Sequence, residues 1–207
     1  MTIGRRQFAV GAGMLLGTRR ARADAGDLFA RIARAREHMR TLEGPFEQVR
    51  TIGLLATDVR SRGRLALVRP DRLRWELDPP DDVTFWVGPE GLAFKSAHGR
   101  GAVRNAGAGI GVALADLRTL LGGDLTGLRA RWELQVTRDD AAGAEFEATP
   151  RPGAIEHLQR IRFSLDPDLA RPTHVLLVEG PRDRTRIDFG TLAVNGIVDD
   201  ARMRPPT

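Results

Sequence analysis

The stretch that decides the fold is Gly63–Pro80, which reads GRLALVRPDRLRWELDPP. Its apolar residues alternate with polar ones in two runs, Leu65 and Leu67 and then Leu73, Trp75 and Leu77. Alternation of period two is typical of strands with one buried face and one wet face. Between the runs, Arg69-Pro70-Asp71-Arg72 contains turn residues, because proline fixes φ at a turn corner and aspartate can bond back to the backbone. The sequence therefore predicts a β-hairpin with an apolar face and an arginine-rich face.

Similar short apolar runs, separated by turn residues, continue along the chain. We expect further strands at 46–52, 54–59, 84–87, 92–95, 131–136, 144–149, 158–165, 173–179 and 185–189. Regular spacing of short strands favours one antiparallel sheet that curls into a barrel or half-barrel. Apolar residues at three- and four-residue spacing predict helices over 27–40 and 110–121, with a glycine-rich loop over 96–109. The pattern predicts a single domain.

The N-terminus has the pattern of an export signal. Arg5 and Arg6 precede a short apolar run from Phe8 to Leu16, and Ala21-Arg22-Ala23 has the small-x-small pattern of a cleavage site. The arginine pair followed by Gln7-Phe8 resembles a twin-arginine signal. We therefore expect a signal peptide over 1–23, cleaved there or at 25, and one mature domain over 24–207 in the periplasm.

The net charge of +5 comes from this predicted signal. Cleavage after Ala23 removes five arginines and no acid, which leaves 27 basic against 27 acidic residues. A nearly neutral mature chain gives no reason to expect nucleic acid as a partner. The chain has no cysteine, which excludes disulfides, thiol catalysis and a lipid anchor on cysteine.

No catalytic or metal-binding pattern stands out. The histidines lack the spacing of a metal site and no serine lies in a nucleophile-elbow motif. The paired acids at Asp81-Asp82, Asp139-Asp140 and Asp199-Asp200 fall in predicted turns. We expect neither an enzyme nor a cofactor or metal.

Several short motifs are distributed, in a characteristic order and spacing, over nearly the whole mature chain. They are Phe46-Glu47-Gln48, Gly63 with Leu65, Arg69-Pro70, Arg74-Trp75, Pro79-Pro80, Glu90-Gly91-Leu92, the run 120–125 and Val194-Asn195. In these motifs the chain resembles the LolA family of periplasmic carriers of outer-membrane lipoproteins. The resemblance implies an α+β fold that is mainly β. Its sheet would be an unclosed, strongly curved antiparallel half-barrel, and helices would cover an apolar cavity inside it.

The resemblance also implies a function and partners. Such a carrier accepts lipoprotein acyl chains from an inner-membrane ABC lipoprotein-release transporter and passes them to a LolB-like acceptor lipoprotein at the outer membrane. We expect a monomer. Two alternatives stay open: a LolA-like paralogue that carries another lipid or glycolipid, and a structural or interaction module without a ligand.

Apolar residues that share one parity within their strands are the candidate cavity wall. They are Leu65, Leu67, Leu73, Trp75, Leu77, Phe85, Val87, Leu92, Phe94, Ile161, Phe163, Leu165, Ile187 and Phe189. The apolar face of the candidate lid consists of Leu114, Leu117, Leu120 and Leu121. Periodicity alone does not distinguish the wall of an open cavity from a filled core. Both interpretations of these residues remain open at this point.

The resemblance assigns a role to one individual residue, Arg69. It aligns with a family arginine that is thought to bond backbone carbonyls of the lid helix and so to latch the lid. A guanidinium has five donors and is costly to bury without acceptors, which suits such a role. The alternative is a solvated arginine beside a turn proline.

Overall fold

The computed structural model describes residues 17–54, 57–103, 110–122, 125–153 and 157–206. Within these residues the chain forms one antiparallel sheet and three helices. The helices are α1 (Gly17–Ala35), α2 (Ile110–Gly122) and α3 (Leu125–Arg131). The strands are β1 (Thr41–Ile52), β2 (Thr57–Val68), β3 (Arg72–Leu77), β4 (Val83–Gly88), β5 (Gly91–Ser96), β6 (Gly99–Val103), β7 (Trp132–Asp140), β8 (Gly143–Pro150), β9 (Arg160–Leu165), β10 (Pro172–Val178), β11 (Arg184–Phe189) and β12 (Ala193–Val194).

The sheet is curved but unclosed. Its order is β6-β5-β4-β3-β2-β1-β11-β10-β9-β8-β7, with β12 paired to the start of β1, so that β6 and β7 are its two edges in the described part of the chain. Trp75 on β3 lies edge-on to Phe189 on β11 at 6.4 Å between ring centroids, although β2 and β1 separate their strands. In a flat sheet these strands would be about 14 Å apart. The expected unclosed half-barrel is confirmed.

The hairpin predicted from Gly63–Pro80 is β2 and β3. Leu65 lies opposite Trp75 and Leu67 opposite Leu73, so the two apolar runs share one face. The strand predicted over 54–59 is wrong in part, because Gly53 and Leu54 belong to a turn and β2 begins at Thr57. From there β2 pairs with β1 along its whole length.

Other predicted boundaries also change. The first helix ends at Ala35 instead of residue 40, and the carbonyl oxygens of Arg36 and Met39 accept hydrogen bonds from Arg69. Part of the predicted loop is strand β6, while 104–109 lie outside the described residues. Helix α3 and strand β12 were not predicted. Residues 1–16 of the predicted signal lie outside the described residues, and α1 begins within the remainder at Gly17.

The helices cover the concave face of the sheet. Leu28 and Ile32 of α1 are fully buried, and Phe29 stacks on Phe146 of β8 at 5.3 Å between ring centroids. From α2, Leu117 and Leu121 are buried in the same apolar cluster as the inward side chains of β2, β3, β9 and β10. A single core therefore lies between one curved sheet and its helical cover.

Gly63 allows two aromatic rings to meet on the concave face. A Cβ at this position would lie 1.9 Å from the backbone oxygen of Glu76 and 2.9 Å from the ring of Phe46. In the absence of a side chain, Phe46 of β1 reaches across β2 and stacks on Trp75 of β3, with 3.7 Å between ring centroids. The glycine is required here because two neighbouring strands approach it closely.

We expect Gly63→Ala to destabilise the protein by about 1–3 kcal/mol, because the added methyl overpacks this contact. Urea unfolding measures the free energy, and near-ultraviolet circular dichroism reports the environment of Trp75. Gly88→Ala is the matched control, since a Cβ at Gly88 meets nothing within 4 Å. Equal stability of both variants would contradict the role given to Gly63.

Candidate functional site

The predicted cavity wall is mostly buried. Phe94 and Phe189 are partly buried, and the remaining wall residues named above are buried. Together with Leu114, Leu117, Leu120 and Leu121 of α2 they belong to one apolar cluster. The structure therefore brings the predicted wall and the predicted lid into direct contact, with α2 closed on the sheet.

A small cavity of about 80 Å³ remains between α2 and the sheet. Of the predicted residues, Trp75, Ile187, Leu114 and Leu117 line it. The other lining residues were not predicted as site residues: Gln48, Arg50, Ala113, Leu177, Glu179 and Thr185. Pockets that hold drug-sized ligands have volumes of about 300–1,000 Å³. A long-chain ligand would therefore require α2 to move away from the sheet.

The concave face changes from apolar to polar along the strands that border this cavity. Residues two apart on a strand share one face. The inward positions are Phe46, Gln48 and Arg50 on β1, Val175, Leu177 and then Glu179 at the end of β10, and Phe189, Ile187 and Thr185 on the antiparallel β11. The cavity lies at the boundary, with an apolar interior at one side and a polar mouth at the other.

Arg36 and Arg118 tie α2 to other parts of the chain, as does Arg131 of α3 through its ion pair with the buried Asp116. Arg36, just after α1, donates from Nη1 to the carbonyl oxygen of Leu120 at 2.8 Å and from Nε to that of Leu169 at 3.2 Å. Arg118 of α2 donates from Nη1 to the carbonyl oxygen of Asp71 at 3.0 Å. Since the last carbonyls of a helix have no intrahelical partner, Arg36 caps the C-terminal end of α2.

Arg36 is a buried cation, with 2% of its surface exposed. Desolvation by burial lowers the pKa of its guanidinium to about 10; the Asp166 carboxylate opposes this shift and the neighbouring Arg69 charge adds to it. The group is therefore still charged at neutral pH. Its Nη2 atom has no hydrogen-bond partner among the described residues. A buried charge with an unpaired donor lowers the stability of the closed arrangement relative to its apolar packing alone.

Arg69 is half-buried and bonds to the segment that follows α1 instead of the expected lid helix. Its Nη1 donates to the carbonyl oxygens of Arg36 at 2.7 Å and Met39 at 3.0 Å, both after the end of α1. The described contacts include no hydrogen bond from Arg69 to α2, so the expected bond to the lid helix is wrong. Arg69 instead holds the backbone of the residue whose side chain caps α2. Its role as a latch remains a proposal.

Sequence reasoning missed Arg36, although a signal for it was present. Arg36 is the first residue after α1 and continues the buried stripe of Leu28 and Ile32 at four-residue spacing. A charged residue at such a position is either solvated at a helix end or buried with acceptors. Periodicity does not distinguish these outcomes, because the acceptors come from distant parts of the chain.

Other surfaces of the described structure are weaker candidates for a functional site. A groove of about 710 Å³ lies on the opposite face of β3–β5 and is crossed by the C-terminal residues, with Arg74, Trp86 and Arg202 among its lining. Of its charged residues, Arg74, Glu76 and Arg202 form ion pairs within the chain. The described residues contain no group of His, Asp and Glu that could hold a metal ion. No described helix has the length and apolarity needed to cross a membrane.

We expect Arg36→Met to loosen α2 while leaving the fold intact. The substitution removes the cap on Leu120 and the bond to Leu169, but it also removes a buried charge. These effects oppose each other, so the free energy of unfolding should change by no more than about 2 kcal/mol. Amide hydrogen exchange in α2 should nevertheless become about tenfold faster.

Arg31→Met is the matched control for this experiment. Arg31 lies on α1, five residues before Arg36, but its ion pair with Asp139 is exposed, and such pairs contribute about 0–1 kcal/mol. Exchange in α2 should stay unchanged in this variant. If α2 exchanges at the same rate in Arg36→Met as in the unchanged protein, Arg36 does not hold the helix.

Solved structures with this fold come from several bacteria. An uncharacterized conserved protein from Thermus thermophilus aligns with a TM-score of 0.53 at 6% identity, over 88% of this chain and 94% of that one. A DUF1329 family protein from Desulfovibrio piger aligns with a TM-score of 0.51 at 12% identity, over 87% and 96% of the two chains. In the MucA/MucB complex of Pseudomonas aeruginosa, the matched chain aligns with a TM-score of 0.50 at 15% identity, over 88% of this chain and 61% of that one. At these identities the likeness shows the fold alone.

Sequence comparison identifies a family for one region of the chain. No curated protein matches the chain. The family model described as "Outer membrane lipoprotein carrier protein LolA" matches residues 37–88, which contain β1 to β4. These are the strands that carry Phe46, Gly63 and Trp75, with Arg69 in the turn between β2 and β3. The matched region and the unclosed antiparallel sheet with its helical cover together support the assignment of this chain to a LolA-like family.

Proposed function

We propose that this protein is a soluble periplasmic carrier that binds lipoprotein acyl chains between α2 and the concave face of the sheet. It would shuttle them from the inner to the outer membrane and would catalyse no reaction. The observation that carries this proposal is the contact between the apolar side chains of the sheet and a helix whose end is held by a buried arginine, one donor of which is unbonded among the described residues. The match of β1 to β4 to the LolA family supports it.

The energy of an exposed acyl chain explains why such a carrier is needed. At about 0.8 kcal/mol for each buried CH₂, a chain of about sixteen carbons costs on the order of 12 kcal/mol to hold in water. A carrier must remove that surface from water and later release it. A closed state that is not too stable suits both steps, because opening then requires little free energy. In this proposal the structure corresponds to the cargo-free state.

The proposed partners act at the two membranes. An inner-membrane ABC lipoprotein-release transporter would load the carrier, and a LolB-like lipoprotein at the outer membrane would accept the cargo. A LolA-like protein that carries another lipid or glycolipid would use the same site. A second candidate is an interaction module without a lipid, which the small cavity volume favours. MucB, a fold relative, is known from a complex with the protein MucA.

Native mass spectrometry of the protein purified from its own periplasm tests the proposal. We expect a bound triacylated species if the cargo is a lipoprotein, and another lipid if the protein is a paralogue. Protein that carries no lipid in any preparation would favour the interaction module.

We expect Ala113→Leu to weaken acyl binding by about tenfold, because the longer side chain enters the cavity beside Trp75 and Leu117. Titration of the purified protein with hexadecanoate, followed by tryptophan fluorescence, measures the change in Kd. Ala30→Leu adds the same side chain on an exposed position of α1 and should bind as the unchanged protein does. Equal loss in both variants would mean that the cavity under α2 is not the binding site.

We expect Arg69→Leu to leave the fold intact and to impair delivery of cargo. The variant loses both bonds to the residues after α1, so Arg36 and the end of α2 lose a fixed support. Transfer of a lipoprotein from inner-membrane vesicles to outer-membrane vesicles is the measurement, with circular dichroism as the check on folding. Normal transfer between the membranes would rule out a latch role for Arg69.

A further inference from the structure

The polar mouth of the cavity is built at the ends of three strands. Arg50 near the end of β1, Thr185 near the start of β11 and Glu179 just after β10 line the same cavity as Trp75 and Leu117. One small space therefore borders on apolar side chains at one side and on a cation, an anion and a hydroxyl at the other. This arrangement matches a molecule with an apolar chain and a polar head.

Arg50 is available to such a head group. Half of its side chain is exposed, and within the described residues its ion-pair partner is Glu179, at 3.6 Å between Nη2 and Oε2. Ion pairs of exposed side chains contribute about 0–1 kcal/mol. Glu179 also lies 3.7 Å from Nε2 of His157. The pair between Arg50 and Glu179 is thus weak and easily exchanged for a better acceptor.

We propose that this mouth is a head-group subsite, in which Arg50 binds the anionic oxygens of a lipid whose acyl chain lies under α2. The inference rests on the proposed function in one respect, that acyl chains enter beneath α2. It goes further by naming the ligand class, an amphiphile with a carboxylate or phosphate head. It therefore favours the alternative cargo of the proposed function, another lipid with an anionic head, because the triacylated cysteine of a lipoprotein carries no carboxylate or phosphate head.

The chemistry of Arg50 and Glu179 sets the preference for one kind of head group over another. A guanidinium can donate two parallel N–H bonds to a carboxylate or a phosphate, which the single long contact with Glu179 does not provide. Gln48 and Thr185 line the same space and can donate to a further head-group oxygen. Glu179 repels an anion at this place, so it weakens binding of the same ligands that Arg50 favours.

Four single-chain lipids of equal chain length test the subsite. Hexadecanoate and palmitoyl lysophosphatidylglycerol carry anionic heads, monopalmitoylglycerol has a neutral head and hexadecyltrimethylammonium has a cationic head. Each is titrated below its micelle concentration into the full-length mature protein, with tryptophan fluorescence as the readout. We expect the tighter of the two anionic lipids to bind about tenfold more tightly than the neutral lipid.

Three variants distinguish binding of the head group by Arg50 from a general effect of the protein's net charge. Arg50→Gln should reduce the preference for anionic over neutral lipid to less than about twofold, and Glu179→Gln should increase it. Arg60→Gln is the matched control: Arg60 lies on β2 opposite Val49, on the outer face, and its loss changes the net charge equally. This control should keep the preference of the unchanged protein.

Each outcome decides between the hypotheses. Tighter binding of hexadecanoate assigns a carboxylate and tighter binding of the lysophospholipid assigns a phosphate, and either result supports the subsite. A preference that survives in Arg50→Gln, or that falls equally in Arg60→Gln, overturns it. Equal binding of all four lipids overturns the subsite and leaves the carrier function standing. Binding of none of them overturns the carrier function and the subsite with it.

Discussion

An open, curved sheet with one apolar face cannot remain uncovered in water, and the rest of the structure follows from this constraint. The order of strands leaves β6 and β7 as edges in the described part of the chain, so the concave face is not sealed by closure of a barrel. Its aromatic contacts, Phe46 on Trp75 and Trp75 against Phe189, show how strongly the strands curl toward one another. Helices must supply the missing cover. A cover made of helices can move, which a closed barrel wall cannot do.

Helix α2 is held on the sheet by apolar packing together with polar contacts of limited strength. Leu117 and Leu121 are fully packed, whereas the end of α2 depends on a guanidinium that is desolvated and has one donor unpaired among the described residues. Arg69 supports this guanidinium indirectly, through the backbone carbonyl of Arg36. The β2–β3 turn is thus connected to α2 through Arg69 and then Arg36. The strength of closure is set by a balance between hydrophobic burial and the cost of burying a charge.

In the proposed function, one cavity on this face would hold both parts of a lipid. Its strands are apolar where they pass under α2 and polar where they end beside Arg50 and Glu179. The apolar part supplies affinity without chemical selectivity, because hydrophobic burial depends on area. Selectivity must then come from the mouth, where hydrogen bonds and charge distinguish one head group from another. The proposal thus gives affinity and choice of cargo to different residues of one cavity.

The sequence by itself determined the strands, the β2–β3 hairpin and the second helix, because their side-chain periodicity is a local property that follows from backbone geometry. It also indicated which residues face inward, and most of the predicted wall and lid residues are buried together. Only the tertiary structure decided that Arg36 is buried, since its acceptors Leu120 and Leu169 lie 84 and 133 residues further along the chain. It likewise redirected Arg69 to the end of α1 and placed Arg50 beside Glu179. Such pairings depend on which distant segments meet, and no local pattern of residues contains that information.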